Sequence, residues 1–282
     1  MKAPPSRRAH SREQAPEGEG PRAERRGRKR AALIAPPRPL LHPGYGFVMM
    51  FSPKSAFSSA VIWFFHTLGL YDEARAYDEW PHNYRTKVYY RRPEIVAAFT
   101  RTRLHKLRLL KIVRDPMERA ASSFRHALNT GYADNEIKAA LGIDVAAAGL
   151  SFEQFVDFLE TENLQTCNVH HRVQRHPLEQ FREPDFLINV TRQNLFERLG
   201  EFEATNGMPI TDFRQLSWIH ELQSHRTPSY TGDAADAYKA VLTRMQAGAG
   251  PWPRHLISEE ARQRLRRLYA VDVQLYGECG PA

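Results

Sequence analysis

The chain has 282 residues, 42% of them hydrophobic and 11% aromatic, which suits one α/β domain with a sizeable core and excludes a wholly disordered protein. The formal net charge is +8, of which +6 falls within residues 1–30, so the basic character belongs mainly to a tail and the remainder is close to neutral. Cys167 and Cys279 stand far apart without metal-type spacing, which excludes a disulfide framework and fits a reducing compartment.

Residues 1–43 are rich in Pro, Arg, Glu and Gly and read as a disordered basic tail. Pro36, Pro37, Pro39 and Pro43 mark the edge of a folded domain over 44–282. The first thirty residues lack the apolar stretch of a signal peptide. The longest apolar stretch, Phe47 to Leu70, is broken by Pro53, Lys54, four serines and His66, and a membrane span needs about 20 mostly apolar residues. Gly46–Phe51 (GFVMMF) predicts a buried parallel strand, followed by a loop and a helix capped by Ser58 or Ser59 that ends near Leu68. Leu109–Val113 (LLKIV) predicts a second strand, and Arg114-Asp115-Pro116 a turn into a helix with Asp115 as cap. Phe152, Phe155, Val156 and Leu159 form a helical stripe behind the capping-box pair Ser151 and Gln154. Phe186–Val190 predicts a third strand, Leu195 opens another helix, and residues 258–276 read as one C-terminal amphipathic helix. Strands alternating with helices imply a three-layer α/β fold with a mainly parallel sheet covered on both sides.

Two strand-to-helix turns carry the chemistry. Residues 51–59 (FSPKSAFSS) place Lys54, Ser55, Ser58 and Ser59 before a helix N-terminus, where unpaired N–H groups and the helix dipole attract phosphate or sulfate. The Gly-Lys-Ser/Thr ending of a nucleoside-triphosphate P-loop is absent, which disfavours ATP or GTP. In the second turn, Arg114 stands at a strand end with Ser122 eight residues on, and an arginine fork with a serine hydroxyl can hold one phosphate. Ligands of open α/β sheets bind at the carboxyl ends of strands, so two such turns could grip both anionic ends of one nucleotide.

At these residues the sequence resembles a family. RDPMERAASSF (114–124) is similar to the 3′-phosphate motif of sulfotransferases that use 3′-phosphoadenosine 5′-phosphosulfate (PAPS), and SPKSAFSSAVIWFF (52–65) to their 5′-phosphosulfate loop. The resemblance covers residues 45–277 and is closest to the carbohydrate, Golgi membrane-type branch. FLINV with Asn194-Leu195 resembles a later family segment, with Gln193 where Glu is common, and residues 265–277 resemble the family's ending. The frequent cysteines and the membrane anchor of secreted relatives are missing, so the resemblance implies a soluble, cytoplasmic, bacterial member with a P-loop-like fold. It implies that Lys54 contacts the 5′-phosphate and bridging oxygen, that Ser55, Ser58 and Ser59 supply loop donors, and that Arg114 and Ser122 bind the 3′-phosphate. It implies PAPS as donor, a glycan or other hydroxyl as acceptor, and no metal; nucleic acid is not expected as a partner.

An acceptor hydroxyl needs a base. His82, in the loop-like aromatic segment Trp80–Tyr84, is the first candidate, His105 the second and Glu79 the third. His170, His171 and His176 lack the spacing and further ligand of a metal site, and the resemblance implies that this histidine-containing segment lies toward the acceptor. Arg101, Arg103, Lys106, Arg108 and Lys111 read as a solvated charged face or one that could meet an anionic glycan, and Arg262, Arg264, Arg266 and Arg267 as the wet side of the last helix. Two other classes fit parts of the sequence: a kinase-like nucleotide enzyme, and a non-enzymatic module binding nucleic acid or an anionic surface through the tail.

Overall fold

The structure, a computed structural model, describes residues 20–224, 234–246 and 253–277. In chain order these form α1 (Gly20–Leu33), β1 (Leu40–His42), β2 (Phe47–Phe51), α2 (Phe57–Thr67), α3 (Tyr71–Tyr77), α4 (Pro81–Lys87), α5 (Pro93–Arg101), β3 (Arg108–Val113) and α6 (Pro116–Thr130). There follow α7 (Asp134–Leu141), α8 (Val145–Ala148), α9 (Phe152–Thr161), β4 (Phe186–Asn189), α10 (Leu195–Thr205), α11 (Ser217–Ser224), α12 (Ala234–Ala237), α13 (Glu259–Leu268) and α14 (Ala270–Tyr276). Among the described residues no helix is long and apolar enough to cross a membrane.

The strands form one sheet in the order β1-β2-β3-β4. The last three are mutually parallel, with Phe51 opposite Ile112 and Ile112 opposite Ile188. Their carboxyl ends therefore finish side by side, and the turns that follow them share one edge of the sheet. Every residue of β2 is buried, as a strand covered on both faces requires. Phe47 packs against Trp63, Phe64 and Phe202, which ties α2 and α10 to the sheet. A second apolar cluster joins α6, α9 and α13 through residues such as Phe124, Phe155 and Leu265.

Part of the segment expected as a disordered tail, upstream of residue 43, has regular structure. Leu40–His42 pairs antiparallel with β2, and Tyr89 Oη donates to the Leu41 carbonyl at 2.7 Å. Ala32 and Leu33 at the end of α1 are buried. The Pro-rich composition concealed a three-residue edge strand, a length at which alternation carries no signal. Residues 1–19 lie outside the described residues. The predicted capping box at α9 is present, with Ser151 and Gln154 each bonded to the other's backbone N–H. The single predicted C-terminal helix is instead two, broken at Tyr269, and the break turns Asp272 into the core.

Lys111 departs from the solvated charge run in which its sequence neighbours suggest it belongs. It sits mid-strand in β3, fully buried, and its Nζ lies 2.7 Å from Glu179 Oε1. Burial pushes Lys111 down from its usual range, against the pull of Glu179. Burial raises Glu179, but Lys111 and the Tyr276 hydroxyl outweigh it and leave the carboxyl below its usual range. Arg264 also leaves its assigned wet face, pairing with Asp157 at 2.6 Å and Glu160 at 2.7 Å.

Removing one partner of a buried pair strands the other charge, so Lys111→Met should lower the unfolding free energy by about 3–5 kcal/mol in urea titration, whereas Lys106→Met on the exposed run should leave it unchanged.

Candidate active site

The turn after β2 holds Lys54 and Ala56 in the left-handed region, at φ 71° and 54°. Neither is glycine, so the conformation is strained at about 1–2 kcal/mol per residue, a cost that persists where surrounding structure enforces it. The strain delivers the chain into α2 without a side-chain cap at its N-terminus. Ser58 and Ser59, expected as caps, lie inside the first helical turn instead. The backbone N–H groups of that turn are thus available to an anion. At the parallel turn after β3, by contrast, the Asp115 carboxylate accepts from Met117 N and Glu118 N at 3.0 Å and closes the start of α6.

The two turns touch. Arg114 Nη1 donates to the Lys54 carbonyl at 3.4 Å, while Glu118 Oε2 accepts from Arg114 Nη2 at 2.9 Å and from its Nε at 3.1 Å. Gln174, a residue nothing in its local sequence marks, holds both turns from behind. Its Oε1 accepts from Ser55 Oγ at 3.2 Å and from Arg114 N at 3.0 Å, and its Nε2 donates to the Arg114 carbonyl at 2.8 Å. Its carbonyl accepts from Ser52 Oγ at 3.5 Å, and its N–H donates to both Asp272 oxygens, at 2.8 and 3.0 Å. Ser55 is therefore buried and committed to the scaffold, while Lys54, Ser58, Arg114 and Ser122 are half-buried around the turns.

His82 joins this group by way of α4, since the segment expected as a loop is a helix with Pro81 in its first turn. Its ring stacks on Phe57, with 4.9 Å between centroids, and its Nε2 lies 3.0 Å from Ser58 Oγ. Burial, then the charges of Arg85 and Lys54, push its pKa down to about 3. His105 is exposed in the turn that precedes β3, at the end of the strand remote from Arg114, so the structure separates it from the turns. Glu79 has an exposed side chain, and its carbonyl accepts from Trp218 Nε1 at 2.8 Å.

Two further histidines feel the charge of Lys54. His126 follows Ser122 by one helical turn, and its ring centroid lies 4.6 Å from that of His170. Burial first, then Lys54, lower His126 to about 3 and His170 to about 4. Extending the Arg114–Ser122 face by one more turn would have found His126 in the sequence. His176 is committed elsewhere, accepting from Leu178 N at 3.1 Å with its other nitrogen 3.3 Å from the Ala35 carbonyl. Arg119, the second arginine of the 114–124 segment, is fully buried and donates to the carbonyls of His170 and Arg172, so its part is structural.

A lysine, an arginine, an uncapped helix start and neutral imidazoles gather at the carboxyl edge of a mainly parallel sheet, the place where open α/β proteins bind their ligands. The chain belongs to the Sulfotransferase family, whose model matches residues 46–277 and so spans both turns, α4 and the C-terminal helices. Neither curated proteins nor solved structures gave a match.

Two outcomes are expected here. Because its pKa lies below the usual histidine value, His82 should stay neutral in NMR titration down to about pH 4, and its pKa should rise on adding sulfate, which offsets the charge of Lys54. Gln174→Ala should leave Arg114 N unpaired, lower stability by about 1–3 kcal/mol in urea titration, and weaken sulfate binding in calorimetry on the order of tenfold by loosening both turns.

Proposed function

We propose that the protein transfers a sulfuryl group from PAPS to a hydroxyl of a carbohydrate. The observation that carries this reading is the contact between the turns: Arg114 reaches the Lys54 carbonyl at 3.4 Å, so the two cations stand at neighbouring strand ends. A nucleotide with anions at both its 5′ and 3′ ends suits such a pair. The 5′-phosphosulfate would lie at the uncapped start of α2 against Lys54, Ser58 and Ser59. The 3′-phosphate would lie between Arg114 and Ser122, with Glu118 releasing the guanidinium. That phosphate distinguishes PAPS from other adenine nucleotides.

In the reaction the acceptor oxygen attacks sulfur in line with the bond to the bridging oxygen. The S–O bond breaks, and charge grows on the departing phosphate, where Lys54 stabilises it. The acceptor proton passes to His82, whose neutral ring is ready to accept it. Ser58 occupies Nε2 of that ring at 3.0 Å, and its hydroxyl can turn to the donor's oxygens when these arrive, leaving the nitrogen for the acceptor. Bound anions also raise the basicity of His82 by offsetting Lys54.

A carbohydrate acceptor is favoured by Trp80, 46% exposed, whose ring stands edge-on to His82 with centroids 4.9 Å apart. An exposed aromatic face next to a base suits the apolar face of a sugar ring while the hydroxyls point inward.

The test is incubation with PAPS and a panel of glycans, read as release of adenosine 3′,5′-bisphosphate. Lys54→Ala should lower kcat by about a hundredfold or more, and Arg114→Ala should raise the KM for PAPS by about tenfold to a hundredfold. Turnover at the wild-type level in both variants overturns the site. Turnover that requires ATP and magnesium instead of PAPS overturns the reaction.

A further inference from the structure

The segment between α9 and the active turns brings three donors together that sequence spacing keeps apart. Glu162, Cys167 and His171 each offer one ligand atom, a carboxylate oxygen, the thiol sulfur and a ring nitrogen, and these lie within 4.8 Å of one another. The intervals of five and four residues match no zinc signature, so the sequence conceals the grouping.

An independent feature points to a ligand. His171 is 1% exposed, wedged edge-on against Phe155 and Phe158. Its Nδ1 lies 3.2 Å from the Tyr132 hydroxyl, while Nε2 is buried with no hydrogen-bond partner. A buried, unpaired polar atom is destabilising, a cost that its surroundings or a ligand must offset. In the tautomer whose Nδ1–H donates to the Tyr132 oxygen, the ring presents a lone pair at Nε2, the arrangement that metal-bound histidines use.

We propose that Glu162, Cys167 and His171 bind a zinc ion that braces the loop behind the active turns. One sulfur, one imidazole nitrogen and one carboxylate oxygen form a borderline donor set suited to zinc, with water as fourth ligand. A tetrahedral zinc holds its ligand atoms roughly 3.3–3.8 Å apart, a contraction that the half-buried side chains of Glu162 and Cys167 can make by rotation. Their half-exposure also supplies the entry route.

Charge is balanced within the site. Arg119 and Arg172 stand close enough to act on both Cys167 and His171 and oppose a bare dication. Their guanidinium groups are turned to backbone carbonyls: Arg119 to those of His170 and Arg172, and Arg172 to those of Thr166 and Cys167. A thiolate and a carboxylate together cancel the two charges of the ion, and the thiol proton leaves to solvent on binding. The ion lies on the chain that leads directly to Gln174. Tyr269 Oη already holds the His171 carbonyl at 2.6 Å, and Val173 N bonds the Leu164 carbonyl at 2.9 Å, so zinc adds a third fastening to the same loop.

The full chain, stripped with a chelator, is titrated with Zn2+ by calorimetry and with Co2+ by absorption. One zinc per chain is expected, together with a thiolate-to-cobalt charge-transfer band. Zinc should raise the melting temperature and slow alkylation of Cys167 by iodoacetamide, read by peptide mass spectrometry on the wild-type chain. Cys167→Ser and His171→Gln should each weaken binding by at least about tenfold, and Cys279→Ser should not. Equal alkylation of Cys167 with and without zinc overturns the proposal without any variant having to fold, and so does zinc binding at wild-type strength in both ligand variants.

Discussion

The hydrogen bonds of Gln174 are the constraint on which the edge carrying both turns depends. Neighbouring strands finish at one edge in any parallel sheet, but their loops ordinarily diverge. Here one buried amide takes the N–H and C=O of Arg114 and the hydroxyl of Ser55 together, so neither turn can shift without the other. A strained left-handed pair at Lys54 and Ala56 is sustainable under that restraint, because the energy to hold it comes from the packed scaffold and not from the turn itself.

Beneath the bracket runs a buried line of charge. Lys111 on β3, Glu179 beyond the loop, Asp272 on α14 and Arg119 on α6 are all withdrawn from water, and each is supplied with an opposite charge or hydrogen-bond partners. Burial raises Asp272, and Arg119 and the Gln174 N–H pull it back. Replacing such a group by an apolar one of the same shape can be neutral for stability, but removing one partner is not. The network therefore serves position more than strength, since it fixes where the loop of 162–176 crosses the back of the sheet.

Much of this was legible in the sequence where signals were local. Three strands, the capping box at Ser151 and the position of both strand-to-helix turns follow from short apolar runs, turn residues and capping chemistry. The short strand Leu40–His42 did not, because three residues among prolines carry no periodicity. The helical setting of His82 was obscured by Pro81, which ends helices as readily as it starts them. Lys111 was misplaced for a physical reason: a lysine in a basic stretch is normally exposed, and its burial is made tolerable by partners far along the chain, Glu179 68 residues on and the Gln174 carbonyl. The contacts of Gln174 depend on tertiary closure, and the grouping of Glu162, Cys167 and His171 on the path of one loop whose intervals match no ligand signature.

The break at Tyr269 has a consequence for how the protein comes into being. By turning Asp272 inward to receive the Gln174 N–H, a contact across 98 residues, it makes the grip on both turns depend on a segment synthesised long after them. While the ribosome is still adding the residues between 174 and 272, the sheet can form but the clasp has no backing. An emerging chain would therefore form its sheet before the two turns were held together, and that clasp would close in one late step.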